Sequence, residues 1–174
     1  QIDLRGITHP EVYVPNIPLI EGLTEPPPRT DLRFALWWHF HDEPHPMGWY
    51  LAMMGWTDVF GTSLYSMRFP AAVFGAATAG MTAVVGARLF GPLAGFLAGS
   101  FVALNGFHIF WSQSARMYSA GSFLAILSVW LLLRLPQSKG PWVPAAYVTT
   151  LVAGTQTVEL FWPFLFMQVL WAAL

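Results

Sequence analysis

His39, His41, Asp42, Glu43 and His45 place five nitrogen and oxygen donors within seven residues. Donors of that kind suit a divalent ion bridging a carboxylate and a phosphate, although the spacing matches no tight zinc signature. The same stretch also reads as interfacial histidines, because Trp37, Trp38 and Phe40 crowd it and Pro44 interrupts it. His45-Pro46 then opens an apolar helix, where backbone N–H groups and the helix dipole favour an anion such as phosphate. An N-cap histidine followed by a structural proline is the alternative there.

Arg68 and Arg116 each stand just before an apolar run. At the start of a helix the dipole disfavours a cation by about 0.3–1 kcal/mol, so something anionic should hold each of them. A substrate phosphate, a phospholipid headgroup or Glu159 would each serve. The segment Gly6-Ile7-Thr8-His9-Pro10-Glu11-Val12-Tyr13 adds a carboxylate. Placed within hydrogen-bond reach of an acceptor hydroxyl, Glu11 would act as a general base. A solvated loop glutamate is the alternative.

These groups must be positioned by a membrane protein. The 174 residues are 55% hydrophobic and only 10% charged, with a mean hydropathy of +0.51, against about 25% charged in a soluble domain. Eight of the nine acids precede Arg68 and only Glu159 follows it, so a polar front leads into an apolar remainder. A net charge of −1 supplies no broad basic field, which argues against a nucleic-acid partner. The absence of cysteine removes disulfides, thiolate metal sites and cysteine nucleophiles.

Residues 1–30 carry Pro10, Pro15, Pro18 and Pro26-Pro27-Pro28, which favour an ordered or extended loop over long helices. Thr30 suits an N-cap for a short interfacial helix, Leu32–His41, and a second helix is expected from Met47 to about Phe60. Apolar stretches then follow at Phe69–Ala87, Leu89–Ala115, Met117–Leu133, Gly140–Val158 and Leu160–Leu174. Crossing about 30 Å of hydrocarbon takes about 20 residues, so we expect five spans, the last cut short. The chain shows no basic segment leading an apolar core at its start, and we expect a piece of a longer protein that lacks an upstream membrane segment. The expected organisation is an external loop with interfacial helices over 1–67 and an all-α integral membrane bundle over 68–174.

Lysine and arginine collect in cytoplasmic loops. Arg88, Arg134 and Lys139 therefore assign the loops after spans one and three to the inside, leaving residues 1–68, the Ser112–Tyr118 turn and Glu159 outside. Gly91, Gly95 and Gly99 recur every four residues, as do Ala71, Gly75, Ala79, Ala83 and Ala87, small-residue stripes suited to close helix packing.

Taken in order, His45-Pro46-Met47-Gly48-Trp49-Tyr50, Arg68-Phe69-Pro70-Ala71-Ala72, Gly75, Ala87-Arg88-Leu89-Phe90-Gly91 and Ser112-Gln113-Ser114-Ala115-Arg116-Met117-Tyr118 resemble the GT-C class of membrane glycosyltransferases. The closest likeness is to the glycosyltransferase 39 type, related to protein mannosyltransferases and lipid A aminoarabinose transferases. The resemblance spans about residues 45–120 and implies a GT-C-like multispan bundle in the plasma (inner) membrane. It further implies inverting transfer of a sugar from a polyprenyl-phosphate carrier to a glycan, lipid or protein acceptor on the external or periplasmic face. His9, His45, Tyr50, Arg68, Arg116 and Tyr118 would bind substrate. In that family an acid of the first external loop is the base or metal partner; Glu11 is the nearest equivalent here, with Asp42 and Glu43 as competitors. A Mg²⁺ or Mn²⁺ ion would be held by Glu11 and His45. A multispan transporter is the competing class, but transporters set ionisable groups near the midplane, and the expected span interiors hold no acid, lysine or arginine. A non-catalytic membrane scaffold is the third.

Overall fold

The computed structural model describes residues 45–173, so His9, Glu11, Asp42, Glu43 and the expected helix Leu32–His41 lie outside the described residues. Helix α1, Gly48–Phe60, ends at Gly61, whose N–H makes the last helical bond, to the Thr57 carbonyl, and whose φ of 77° turns the chain out of the helix. Helix α2, Leu64–Phe90, starts where the Ser63 hydroxyl accepts from the Ser66 N–H and ends at Gly91, with φ 95°. Both glycines adopt the left-handed backbone that side chains with a Cβ disfavour.

Helix α3, Pro92–Leu104, has proline in its first turn, and α4, Gly106–Ser112, follows it across Asn105. Helix α5, Tyr118–Leu132, runs on into a short 3₁₀ turn at Leu135–Gln137. Helices α6, Trp142–Thr155, and α7, Phe161–Ala173, complete the order. No strand occurs among the described residues.

Two sequence expectations change. Arg68 does not precede the first long helix but stands in its second turn, because Ser63 caps the helix five residues before the expected start; the expected boundary at 67/68 thus falls inside α2. The stretch 89–115, expected as one span plus a short exposed turn, is broken within the span itself. Asn105 accepts from the His108 N–H through its side chain, and the chain bends by 62° there. Asparagine competes well for backbone donors outside a helix interior and is favoured as an N-cap.

Residues Leu64–Phe90 and Tyr118–Gln137 are long and apolar enough to cross a membrane, and α3 with α4 makes a third if the bent pair counts as one span. At 1.5 Å per residue, α6 and α7, with 14 and 13 residues, reach only about 20 Å. The described residues are therefore all-helical, with two helices, or three if the bent pair counts as one, long and apolar enough to cross a membrane, as suits a membrane protein. Phe96, Phe101, Leu104 and Trp162 stand exposed, as lipid-facing side chains do.

The small-residue stripes meet each other. A Cβ on Gly99 would lie 2.7 Å from the Ala83 Cβ and 2.9 Å from the Ala79 carbonyl, and one on Gly95 would collide with Ala83 and Ala87. Dispersion between close backbones is the main attraction for helices already in lipid. Gly99→Leu should accordingly destabilise the bundle by about 1–3 kcal/mol, the usual cost of overpacking, and a lowered unfolding temperature in mild detergent is the measurement. Elsewhere, polar side chains bridge helices: Tyr147 donates to Gln168 Oε1 at 2.8 Å, and Gln168 Nε2 donates to Ser128 Oγ at 2.7 Å.

Candidate functional site

One end of the bundle gathers the chemistry. A buried cluster of Trp49, Met117, Ala120, Val158 and Phe161 draws together α1, the turn before α5, α5 itself and the α6–α7 turn. Apolar burial fixes these loops, and the polar residues beside them inherit the positions. Arg116 is the chain neighbour of Met117, and Glu159 that of Val158.

Three hydrogen bonds hold the start of α1 against this cluster. His45 Nδ1 lies 2.9 Å from Glu159 Oε1; an ionised carboxylate only accepts, so the imidazole donates from Nδ1. The Gly48 N–H donates to the Gln156 carbonyl at 2.7 Å. Glycine is required there, because a Cβ would sit 2.9 Å from the Gln156 side chain. The Trp49 indole N–H donates to the Ala115 carbonyl at 3.2 Å, next to Arg116. The helix itself begins at Gly48, with Met47 as its N-cap, so Pro46 precedes the first turn, and the first helical N–H serves Gln156.

Arg68 is positioned by a different device. Pro70 lies within α2 and has no N–H to give the carbonyl four residues earlier. That carbonyl belongs to Ser66, and the Trp56 indole N–H takes it up at 2.9 Å. The Trp56 ring also stacks on Phe69, with centroids 5.8 Å apart and planes 11° from parallel. Trp56→Phe should keep the stacking and lose the hydrogen bond, at a cost of about 1 kcal/mol. In a Pro70→Ala background the new Ala N–H supplies the Ser66 carbonyl, so the same substitution should cost less; unfolding temperatures of the four proteins in detergent measure that coupling.

The bend at Asn105 swings α4 onto α2. His108 Nε2 donates to the Gly75 carbonyl at 3.0 Å, and the Ser112 hydroxyl donates to the His108 carbonyl at 2.7 Å. Gly75 leaves room for this approach, since a Cβ there would collide with the Ser112 hydroxyl. The turn that follows carries Gln113, Ser114 and Arg116 toward the beginning of α2.

A cavity of about 590 Å³ results, lined by Arg68, Gln113, Ser114, Arg116, Trp111 and Tyr118 among others. Arg68, Arg116 and Tyr118, three of the residues expected to bind substrate, thus come together. Trp111 and Tyr118, packed edge to face with centroids 4.3 Å apart, also line a second cavity of about 480 Å³, whose walls include Phe161 and Phe164. The wider space is cationic and polar on one side of this pair and mainly aromatic and aliphatic on the other.

Among the described lining residues, His45 and Tyr50 are absent from both cavities. Tyr50 lies on α1, partly exposed. No group of three or more His, Asp and Glu gathers among the described residues; His45 and Glu159 alone fall short of the six or more oxygen ligands that hard divalent ions favour. The expected metal site of Glu11 and His45 has one member outside the described residues.

Sequence reasoning did not pair Glu159 with His45, and it missed Trp49, Trp56, Trp111 and Gln156. The available signal was Glu159's isolation as the one acid after Arg68. No family model, curated protein or solved structure matches the chain.

Proposed function

We propose that the chain forms the donor end of a membrane glycosyltransferase of the GT-C kind, which takes a sugar from a polyprenyl-phosphate carrier and passes it with inversion to an acceptor on the outer face. The observation that carries this reading is the pair of adjoining cavities. Two guanidiniums and polar side chains suit a phosphate, the neighbouring aromatic groove suits an apolar chain, and one ligand can satisfy both only if it is an amphiphilic anion.

The chemistry assigned to these residues is electrostatic. As the bond from the anomeric carbon to the phosphate oxygen breaks, negative charge grows on the departing lipid phosphate. Fixed donors aimed at that charge lower the barrier, and arginine's fork matches phosphate oxygens in pairs. On the opposite face of the sugar, the acceptor oxygen attacks while a carboxylate takes its proton.

The test uses the full-length protein in liposomes, offered radiolabelled polyprenyl-phosphate mannose, glucose or arabinose together with a membrane extract as acceptor. Transfer of label from one of these donors, with release of polyprenyl phosphate, is the expected result. Intact donor in all three cases, from protein that is folded and oriented, would refute the reading.

A further inference from the structure

We propose that Glu159 is the carboxylate that takes the acceptor's proton, with His45 as the residue that positions it. This inference rests on the phosphate-donor reading and adds the residue on the acceptor side.

Glu159 occupies the α6–α7 turn, where the Phe161 N–H bonds the Val158 carbonyl and the Trp162 N–H bonds the Glu159 carbonyl, each at 3.1 Å. Val158 before it is part of the buried cluster, and both Val158 and Leu160 line the aromatic groove. The backbone of Glu159 is therefore anchored on both sides, between two residues that line the groove assigned to the carrier lipid. The other described acid, Asp58, lies in the last turn of α1.

The link to the phosphate side runs through α1. His45 bonds Glu159, and Trp49, four residues on, bonds the Ala115 carbonyl beside Arg116. Four residues span at most about 14 Å even when fully extended, so Glu159 and Arg116 are held around one short bridge. Met117 and Val158 meet in the same cluster, which ties them a second time.

The carboxylate keeps the capacity a base needs. Two oxygens offer about four lone-pair sites, and the bond from His45 engages Oε1 alone. The Glu159 side chain is 44% exposed against 28% for His45, so a substrate hydroxyl can reach it. In the proposed step the acceptor oxygen forms a bond to the anomeric carbon, the carbon–oxygen bond to phosphate breaks, and its electron pair leaves on the polyprenyl phosphate. The acceptor's proton passes to Glu159 Oε2, and the neutral carboxyl returns it to water afterwards. The imidazole fixes the rotamer of the base, and its N–H keeps one oxygen occupied so that the other faces the acceptor.

Glu159→Gln keeps size and removes the basic site. In full-length protein in liposomes, with whichever of the three labelled donors the wild type turns over, transfer should fall about 10²-fold or more, while binding of labelled polyprenyl phosphate stays within about twofold of wild type. Retained binding separates lost chemistry from lost folding. His45→Gln should cost less than Glu159→Gln and add almost nothing in the Glu159→Gln background, as befits a residue that acts through another. Wild-type transfer rates in Glu159→Gln would overturn the proposal, as would loss of transfer in Glu11→Gln or Glu43→Gln with Glu159→Gln still active. Parallel loss of lipid binding and transfer in Glu159→Gln would show a structural role and equally sink it. If the wild type turns over none of the donors, the transferase reading falls and takes this inference with it; if the wild type is active and Glu159→Gln is too, only the assignment of the base falls.

Discussion

Arg116→Ala raises the donor concentration needed for half-maximal transfer about tenfold, and Arg68→Ala does the same to a similar degree. A hydrogen bond from a charged group is worth about 1.5–3 kcal/mol, and 1.4 kcal/mol is a factor of ten. Both side chains are exposed, and solvent screening weakens such contacts, which sets the expectation at the low end of that range. Because the two guanidiniums line one cavity, they would grip the same phosphate, and their effects should not add cleanly. The double variant is therefore expected to depart from the roughly hundredfold change that two independent tenfold effects would give. Direct binding of labelled polyprenyl phosphate checks the sign, and unchanged binding in both single variants would remove the phosphate role from this cavity.

Lysine substitutions sharpen the same expectation. Lysine keeps the charge but presents a point donor in place of a planar fork. If Arg116 acts by paired bonds to phosphate oxygens, Arg116→Lys recovers part of the loss. If it only raises the local potential for any anion, recovery is complete, and the loss in Arg116→Ala shrinks steeply with added salt. The turn's anchoring supports the first outcome, since the Ala115 carbonyl is bonded to Trp49 on one side of Arg116 and Met117 is 1% exposed on the other.

Local signals were legible where a single segment decides its own conformation. Helix α1 starts one residue from the expected Met47, because a proline before it and a glycine after it bound the segment. The four-residue spacing of small side chains was enough to foresee close packing, and it is the α2–α3 contact that uses it. What was hidden depends on partners distant in sequence. Pro70 sits inside α2, and Trp56, on another helix, satisfies the carbonyl that the proline leaves unbonded. His45 and Glu159 are 114 residues apart, and no periodicity connects them. Asn105-Gly106 stands within an uncharged run, where a single amide barely lowers the mean hydropathy, whereas the helix responds to its capping chemistry. For the candidate site, Arg68, Arg116 and Tyr118 were singled out in the sequence and line one cavity, while the wall that Trp111 and Tyr118 share between the two cavities required the fold.

The arrangement of charge along the bundle leads to an all-or-none expectation. Arg88, in the last turn of α2, donates from Nη2 to Gln137 Oε1 at 2.8 Å, so it shares one end with Arg134 and Lys139, which flank Gln137 in the chain. Arg68 stands in the second turn of α2 and Arg116 just before α5, at the opposite end. Only basic residues near short loops orient a membrane protein, because long segments translocate largely regardless of charge. By that rule Arg88, Arg134 and Lys139 outweigh Arg68 and Arg116, and we expect the Arg116 cavity to face outward. The chain has no cysteine of its own, so single reporters are unambiguous. Ser114 precedes and Ser138 follows the segment Tyr118–Gln137, whose 20 residues amount to about 30 Å of helix. An impermeant thiol reagent applied outside intact cells should label Ser114→Cys fully and Ser138→Cys only after permeabilisation. The reverse pattern would place the two arginines on the cytoplasmic face, where a transferase working outside could not use them.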